Sequence, residues 1–394
     1  MKGKIVLFFL MGFVFLCLAA CQRNGDDTVL TEAPHFTSAT TENPQITTLS
    51  TSFAQSTPIA TTKEPTLPLL IPDLGEALPD RGEVILSLPI GEGDEAIRFP
   101  RNQDKPFFES PDACTFSISD HGEVYIGGKS SVRVFKDNQL VSVHQFPYDY
   151  KEETNIAYLP VGDLTILNGT LYLADLYMNR VYAVVDENAV PLDLGNLGNL
   201  QFISATHSGK LVVNSTYYPT AKHISYAIPS KSSEQSIPVI LTNEYTYEND
   251  SGLTARMTYL GNKTYRFDLV LESATKHSSL LALNSANLNS IDVNGAGQTF
   301  EIMQIGTDGI GRIYLDANAT YYKSATEVIK TERFLIRLDV DRQELSIQKV
   351  DHTTSPDLVG ALWARSEVDK NGNVYLAFAS LEEGLKIVKY RFEN

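Results

Sequence analysis

Hydrophobic and polar residues alternate with a period of two in short segments along most of the chain. The pattern is clearest in residues 164–189, where three apolar runs are separated by Asn168-Gly169 and by the polar stretch 174–180. Such alternation predicts half-buried β-strands, and an Asn-Gly pair between two of them is a strong signal for a tight hairpin. This stretch therefore predicts three consecutive antiparallel strands.

The same unit, a glycine followed by an apolar-Tyr-apolar or apolar-Val-apolar strand, recurs along the chain. Close copies begin at Gly122, Gly169, Gly209, Gly311 and Gly372. A further copy with one extra residue is assigned to Gly261, because the gap between 209 and 311 is about twice the others. A repeat near 50 residues built from short strands is typical of a β-propeller rather than a β-sandwich.

Each glycine has one predicted strand before it and two or three after it, which makes a four-stranded unit. The last unit lacks a fourth strand, because the sequence ends at Asn394 soon after its third. The run Glu83–Leu88 precedes the first unit and belongs to none. We expect it to pair with the strand at 386–391, which would close the ring and protect the sheet edges. The predicted fold is all-β, a six-bladed β-propeller whose last blade is closed by an N-terminal strand.

The copy at Gly169 resembles a blade of the NHL-type β-propeller family. That outline is a turn glycine, a strand with a central tyrosine, an aspartate, a short loop and Asn-Arg-Val. Asp175, Asn179, Arg180 and Val181 occupy these places. The resemblance implies an NHL-like propeller and no particular ligand, because propellers include both enzymes and binding proteins.

The first residues have the pattern of a bacterial lipoprotein signal. Lys2 and Lys4 precede an apolar run, 5–18, that is shorter than the roughly 20 residues needed to span a bilayer. The sequence LAAC at 18–21 resembles the bacterial lipobox. The resemblance implies removal of residues 1–20 and lipidation of Cys21; an ordinary secretory signal is the alternative. The predicted location is the bacterial cell membrane or outer membrane, lipid-anchored and extracytoplasmic.

The sequence predicts a signal peptide (1–20), a lipidated cysteine with a flexible tether (21–78) and the propeller domain (79–394). Residues 23–72 are rich in Thr, Ser and Pro and have few aromatic residues. A segment of this composition buries too little surface to offset the entropy lost on ordering. About fifty flexible residues have an r.m.s. reach on the order of 40 Å.

Charge and cysteine content narrow the function classes. The net charge is −16, and removal of residues 1–20 takes away two lysines and no acid, giving −18. This acidity disfavours nucleic acid and anionic lipid as partners of the domain. Cys114 is the only cysteine outside the signal and the lipidation site. We therefore predict no internal disulfide and a buried structural role for Cys114. Separately, we predict no cofactor and a monomeric propeller.

The tyrosines divide into two groups by their position in the predicted blades. One group occupies the same place in the second strand and should pack between blades: Tyr125, Tyr172, Tyr314 and Tyr375. In a blade with strands A to D, the B–C and D–A connections surround the mouth of the channel. Ten aromatic residues are predicted there: Tyr148, Tyr150, Tyr177, Tyr217, Tyr218, Tyr245, Tyr247, Tyr321, Tyr322 and Trp363. Tyrosine and tryptophan concentrate at binding surfaces, so this set predicts a recognition face; the alternative is that several fold over their own loops.

Signals for catalysis are weaker. The sequence has no Gly-x-Ser-x-Gly, His-Glu-x-x-His or phosphate-loop motif. His223 and His277 are the histidines expected in mouth-side loops.

Calcium is a possible ligand in two places. The segment 369–373, DKNGN, resembles the start of a calcium loop, but its position at a repeated A–B turn favours an ordinary turn. Calcium-dependent six-bladed lactonases hold the metal with acidic and amide groups at the channel mouth. Asp175, Glu272 and Asp316 lie at comparable loop starts, without a residue-by-residue match.

The predicted function is recognition of a protein or glycan partner by the tyrosine-rich face of a membrane-anchored propeller. The alternative is a calcium-dependent hydrolase, lactonase or lyase with its site at the channel mouth. Acidic residues in or near the same connections favour a neutral or basic partner: Asp149, Glu152, Glu244, Glu248 and Asp250.

Overall fold

The structure is a computed structural model of the 394-residue chain. It describes residues 67–97, 115–128, 131–146, 161–176, 178–194, 197, 199–216, 223–226, 239–241, 247–248, 251–261, 264–271, 274–282, 297–324, 327–354 and 366–393. Cys21 and Cys114 lie outside these residues. In the described part of the chain, no helix is long and apolar enough to cross a membrane.

The described chain is almost entirely β-structure. It begins with β1 (Leu69–Leu70), a 3₁₀ helix (Leu74–Glu76) and β2 (Glu83–Leu88). The first sheet contains β3 (Thr115–Ile118), β4 (Val124–Gly127), β5 (Ser131–Lys136) and β6 (Gln139–Gln145). The second sheet contains β7 (Asp163–Leu167), β8 (Thr170–Asp175), β9 (Arg180–Val185) and β10 (Asn188–Pro191). The third sheet contains β11 (Asn199–Ala205), β12 (Leu211–Thr216), β13 (His223–Tyr226) and β14 (Val239–Leu241).

The remaining strands continue the same plan. The fourth sheet contains β15 (Tyr247–Glu248), β16 (Thr254–Gly261), β17 (Thr264–Leu271) and β18 (Ala274–Ala282). The fifth sheet contains β19 (Gly297–Thr307), β20 (Ile313–Ser324), β21 (Glu327–Asp339) and β22 (Glu344–Val350). The sixth sheet contains β23 (Glu367–Val368), β24 (Val374–Ser380) and β25 (Gly384–Tyr390), with β2 as its outer strand. Strands that follow one another in a sheet pair antiparallel, so each sheet is an up-and-down unit with strands A to D.

In most successive sheets, the first strands lie next to one another. β3 neighbours β7, β7 neighbours β11, β15 neighbours β19, and β19 neighbours β23. Buried Asp163 in β7 joins three of these strands, because it accepts hydrogen bonds from Thr115 Oγ1 (2.6 Å) and the backbone N–H of Ile203 (2.8 Å). Glu367 in β23 likewise accepts bonds from Ser117 and Ile118 in β3. Four-stranded sheets with adjacent first strands are the arrangement typical of a β-propeller.

Five hydrophobic clusters of the described residues each join two neighbouring sheets, and none of them joins the third sheet to the fourth. The four second-strand tyrosines all belong to such clusters or pack against them, which confirms their predicted packing role. Tyr172 packs with residues of the third sheet, Tyr314 with the sixth, and Tyr375 with the first. Tyr125, which is half-buried, contacts the cluster shared with the second sheet. The alternating sequence pattern therefore places one apolar face of each sheet against its neighbour.

The predicted A–B turns are confirmed at five of the six glycines, all with positive φ: Gly122, Gly169, Gly209, Gly311 and Gly372. Asp369 shows how these turns are held. Its Oδ1 accepts the backbone N–H groups of Asn371 and Asn373, both at 2.9 Å. Because this carboxylate is occupied within its own turn, 369–373 is the ordinary turn that its repeat position predicted.

The assignment of Gly261 is wrong. Gly261 lies in the hairpin between β16 and β17, and a short strand, β15, precedes β16 in the same sheet. The A–B turn of the fourth sheet therefore lies before β16 and contains Gly252, which has a φ of 76°. Both glycines adopt positive φ, so a local sequence pattern does not distinguish the two turns.

The wrong strand assignment in the fourth sheet also made the predicted loop positions of Tyr247 and His277 wrong. Tyr247 forms part of β15 rather than a D–A connection. His277 lies in β18 rather than in a mouth-side loop, and its Nδ1 is 3.0 Å from Oδ1 of Asp341. His223 is also in a strand, as the first residue of β13.

Residues 67–78 were predicted as the end of the tether. Together with residues 79 and 80, they instead form a strap along the outer edges of two sheets. β1 pairs parallel with β18, with Leu69 opposite Leu280. Leu78 then bridges to β22, donating to the carbonyl of Ile347 and accepting from the N–H of Lys349, both at 2.8 Å. Main-chain pairing of this kind places the boundary of the sheet domain near residue 67 rather than 79.

After the strap, the chain enters β2, which pairs antiparallel with β25. Glu83 is opposite Lys389 and Leu88 is opposite Leu385, with one irregularity near Ile85. Leu86 and Leu88 are buried in the cluster shared by the sixth and first sheets. The N-terminal strand therefore supplies the fourth strand of the C-terminal sheet.

Candidate functional site

The two ends of the sheets carry different connections between strands. The A–B turns approach one another at one end, which we call the turn end. There the N–H of Gly309 donates to the carbonyl of Lys370 (3.0 Å), and His207 Nε2 lies 2.7 Å from the carbonyl oxygen of Thr307. His207 is partly buried. The B–C hairpins and D–A connections belong to the opposite end, which we call the mouth end.

A cavity of about 450 Å³ lies at the mouth end between the fifth and sixth sheets. Its walls come from the D–A connection after β22 and from the B–C hairpin between β24 and β25. The polar and aromatic residues around it are Asp351, His352, Thr353, Phe378, Ser380, Glu382, Glu383 and Lys386. A concave space with a few convergent polar groups is the usual form of a ligand site.

His352 is held in this cavity by contacts on both sides. Its ring lies 5.3 Å from the ring of buried Phe378. On the other side, its Nδ1 is 3.4 Å from Oδ2 of Asp80 and 3.3 Å from the hydroxyl of Tyr390. These contacts restrict the orientation of the ring.

Asp80 connects the strap to this wall of the cavity. Its Oδ2 accepts the backbone N–H of Asp351 at 2.6 Å, and its Oδ1 accepts the N–H of Gly82 at 2.6 Å. The hydroxyl of Tyr390 also donates to it at 3.4 Å. Burial, together with the nearby Asp80 carboxylate, raises the pKa of Tyr390 well above that of a free phenol. Tyr390 is therefore a neutral donor at physiological pH.

The charges around the cavity are mainly negative. Lys386 Nζ lies 2.8 Å from Glu383, and this bond lowers the pKa of the Glu383 carboxyl. Lys349 Nζ lies 3.4 Å from Oδ1 of Asp351. Glu382 adds a further exposed carboxylate to the rim. Asp351, Glu382 and Glu383 outnumber the two neighbouring lysines, which favours a cationic or hydroxyl-rich group as ligand.

Most of the ten predicted aromatic site residues lie outside the described residues: Tyr148, Tyr150, Tyr177, Tyr217, Tyr218, Tyr245 and Trp363. Their role in binding stays a prediction. Tyr247 is in β15. Tyr321 and Tyr322 are not in a loop, because β20 continues to Ser324 and pairs with both its neighbours over this length.

β19, β20 and β21 extend past the end of β22 and form an arm at the mouth end of the fifth sheet. β22 stops pairing at Val350, opposite Arg333, whereas β20 and β21 continue pairing to Ser324 and Glu327. The arm was not predicted from the sequence, because residues 318–332 combine β-branched and charged residues without a glycine or proline to mark the hairpin. The signal present was the strand propensity of Val328, Ile329 and Thr331.

Tyr321 is half-buried within this arm. Lys330 Nζ lies 4.5 Å from the centre of its ring, a cation–π contact. Burial acts to raise the pKa of the Glu332 carboxyl, but the hydroxyl of Tyr321 and the ammonium of Lys330 outweigh it, so the pKa is lowered. Tyr321 therefore has neighbours within the arm, in keeping with the alternative that some of these tyrosines pack locally.

The positions proposed for calcium do not form one site. Asp316 makes a two-bond ion pair with Arg333, at 2.9 and 2.5 Å, so its carboxylate is neutralised by a guanidinium. Asp175 is buried and accepts the N–H of Met178. Glu272 lies outside the described residues. No three His, Cys, Asp or Glu side chains among the described residues are placed to hold a metal ion together.

The sequence reading also missed His352 and Asp80. Asp80 was assigned next to the tether boundary, and the strap alone brings it to the connection after β22. A weak signal existed in the Asp351-His352-Thr353-Thr354 stretch, which follows a predicted fourth strand with four consecutive polar residues. Polar runs at strand ends are common, so this one carries little information without the strap.

No protein-family model matches the sequence, and no curated protein matches it significantly. The solved structures that this chain is similar to share little of its sequence. A gluconolactonase from Xanthomonas campestris aligns with a TM-score of 0.39 and 10% identity over 72% of this chain and 87% of its own. Virginiamycin B lyase from Staphylococcus aureus aligns with a TM-score of 0.36 and 11% identity, over 72% of this chain and 85% of its own. Hydrazine synthase from Kuenenia stuttgartiensis aligns with a TM-score of 0.40 and 9% identity, over 71% of this chain and 80% of its own. At these identities no activity, substrate or residue role transfers to this chain.

Proposed function

We propose that this protein is a lipid-anchored, extracytoplasmic recognition protein. In this proposal the six sheets are the blades of a closed β-propeller, β2 completes the last blade, and the mouth end binds a protein or glycan partner. The observation that carries the proposal is the cavity between the fifth and sixth sheets, with its acidic rim and its fixed histidine.

The chemistry of the cavity supports a partner with cationic or hydroxyl groups. Carboxylates accept hydrogen bonds from ammonium, guanidinium and sugar hydroxyl groups. The protein carries a net charge of −16, which attracts basic partners from a distance and repels acidic ones. A basic protein segment or a neutral glycan therefore fits better than an acidic polysaccharide.

The experiment is affinity capture from host envelope extract with the mature chain, residues 21–394, carrying Cys21→Ser. We expect the paired change Asp351→Asn and Glu382→Gln to remove the captured partner, because two of the three cavity carboxylates are lost. Removing residues of a binding hot spot typically costs about 2 kcal/mol or more, which is roughly thirtyfold in affinity.

The matched control is Asp120→Asn with Glu344→Gln, which changes the net charge equally. Both control residues are exposed, and Asp120 belongs to an A–B turn at the opposite end. If the control and the cavity variant lose the partner to the same extent, general charge rather than the cavity drives binding. If neither loses it, the cavity is not the recognition site.

The lipid anchor is tested separately. Cys21→Ser in the full precursor should release the protein from the membrane fraction or leave it unprocessed, because the lipid can no longer be attached. Fractionation followed by intact-mass measurement distinguishes these outcomes. Unchanged membrane association with an unchanged mass would show that Cys21 is not lipidated.

A further inference from the structure

Two neighbouring hairpins expose apolar side chains at the mouth end. The β16–β17 hairpin carries Tyr259 and Leu260, which are 61% and 53% exposed. The arm carries Val328 and Ile329, which are 53% and 63% exposed. We call these four residues the hairpin patch. Each hairpin exposes two large apolar residues in succession, whereas exposed apolar residues scattered singly need no explanation.

The two hairpins arise from one shared core. Tyr265, which contacts Tyr259 with ring centres 5.2 Å apart, packs against the same hydrophobic cluster as Tyr321 of the arm. β15 of the fourth sheet also lies beside β19 of the fifth. Because both hairpins are B–C hairpins of adjacent sheets, they project from the same end of the molecule.

The backbone hydrogen bonds of the two hairpins do not explain why the side chains of the hairpin patch are apolar, because polar residues could form the same backbone bonds. Ile329 is the extra residue of an irregularity, since Tyr321 pairs with Lys330 and Tyr322 with Val328. Such a bulge ordinarily protects an edge strand from pairing with another chain. An exposed isoleucine at a protected edge is therefore better explained by contact with an apolar medium than by addition of a further strand.

We propose that the hairpin patch inserts into the surface of a lipid bilayer and holds the propeller in one orientation on it. Lys323 and Lys330, whose side chains are 69% and 53% exposed, lie in the arm beside the apolar pair. Aliphatic residues flanked by tyrosine and lysine are the composition of segments that lie at a membrane interface, where the long lysine side chain reaches the headgroups.

The length of chain before the sheet domain supports a bilayer as the occupant. This step depends on the lipid anchor of the proposed function. Residues 21–66 separate Cys21 from the strap. If they form the flexible tether that their composition predicts, a chain of this length reaches roughly 40 Å. An anchored domain thus stays at a high effective concentration near the bilayer, which adds to the affinity that the hairpin patch has by itself.

The negative charge of the protein indicates which class of lipid the hairpin patch would contact. The net charge of −16, with Glu327 and Glu332 within the arm, disfavours an anionic surface. The hairpin patch should therefore insert into zwitterionic bilayers by apolar contact. Since the cavity wall after β22 belongs to the same end of the fifth sheet, docking would bring the cavity close to the headgroups.

The test is cosedimentation of residues 21–394 carrying Cys21→Ser with phosphatidylcholine vesicles. This chain has no lipid, so the result does not depend on whether Cys21 is lipidated in the cell. We expect measurable partition into the vesicles, and at least a tenfold loss in the variant Leu260→Asp with Ile329→Asp. Added phosphatidylglycerol should weaken the binding.

The matched control is Val141→Asp with Val190→Asp, which introduces the same charges at exposed valines on fourth strands of other sheets. This control should keep most of the partition, and equal melting temperatures would show that all variants fold. Absence of wild-type partition would overturn the proposal. So would binding to phosphatidylglycerol vesicles alone, or equal loss in both variants. If instead the hairpin variant loses a captured protein while the wild type ignores vesicles, the patch is a protein-docking surface.

Discussion

Single residues at the A–B turns stabilise both a turn and the packing behind it. Asp308 is fully buried, and its Oδ1 accepts the N–H groups of Gly311 and Arg312 at 3.0 and 2.9 Å. Its Oδ2 accepts the hydroxyl of Tyr314 at 3.0 Å. Asp369 repeats this arrangement with Tyr375, at 3.1 Å. One carboxylate thus orders the turn and positions a buried tyrosine between sheets.

Because of these buried phenols, the free energy of unfolding should decrease at alkaline pH. Burial first, and the neighbouring aspartate second, raise the pKa of Tyr314 and of Tyr375 above the ordinary value near 10. Above pH 10 the unfolded chain releases these protons and the folded chain keeps them. Their contribution is therefore complete below pH 10 and falls above it, by about 1.4 kcal/mol per pH unit for each tyrosine.

Tyr375→Phe should show this dependence in urea unfolding. At pH 8 the variant should be less stable by about 1 kcal/mol, because the bond to Asp369 is lost. Between pH 10 and 11 the difference should shrink, since phenylalanine has no proton to release. Exposed Tyr259→Phe is the control and should follow the wild type. If the difference in the free energy of unfolding between wild type and Tyr375→Phe stayed constant from pH 8 to 11, Tyr375 would not contribute to the pH dependence.

The residue scale also shows why the site was only partly predictable. Buried tyrosines in second strands were identified correctly, because their position repeats with each turn glycine. The cavity residues were not, because Asp80 and His352 meet only through the strap and the connection after β22. Asp316 looked like a possible metal ligand until Arg333 of the neighbouring strand was seen to neutralise it.

At the scale of elements, short repeating strands were predictable and long-range pairings were less so. Alternation and turn glycines identified most strands of the six sheets. The fourth sheet was shifted by one strand, because Gly252 and Gly261 both mark hairpin-like turns. β1 has only two residues and pairs parallel with a strand some two hundred residues away, so no local pattern could reveal it.

The strap makes a specific prediction for proteolysis. Trypsin should cut after Lys63, in the predicted tether, and spare Arg81, which is paired with Glu393 beside β2. Mass spectrometry of the first stable fragment should therefore give an N-terminus at Glu64. Substitution of Asp80 by Ala should make Arg81 more accessible, because Asp80 joins this segment to Asp351. Early cleavage at Arg81 in the wild type would show that the strap is not docked.

At the scale of the whole molecule, the N-terminal segment links the two ends of the chain. It runs along the fourth and fifth sheets and then supplies the outer strand of the sixth. Leu86 and Leu88 of this strand are buried with Phe116 of the first sheet. In the proposed closed ring, the predicted membrane tether therefore leads directly into the segment that holds the last blade.

A closed ring is the claim on which the binding face depends, and one pair of deletions tests it most directly. Deletion of residues 80–90 removes β2, whereas deletion of residues 40–50 removes the same number of residues from the predicted tether. Burial of one large aliphatic side chain contributes about 1.5–3 kcal/mol, and each kcal/mol corresponds to roughly 2–3 °C for a domain of this size.

The measurement is the thermal unfolding midpoint of both deletions beside the wild type. The closed ring predicts a midpoint lower by about 10 °C or more, or loss of cooperative unfolding, when 80–90 is deleted, and no change when 40–50 is deleted. Equal midpoints for the two deletions would contradict closure of the ring by the N-terminal strand.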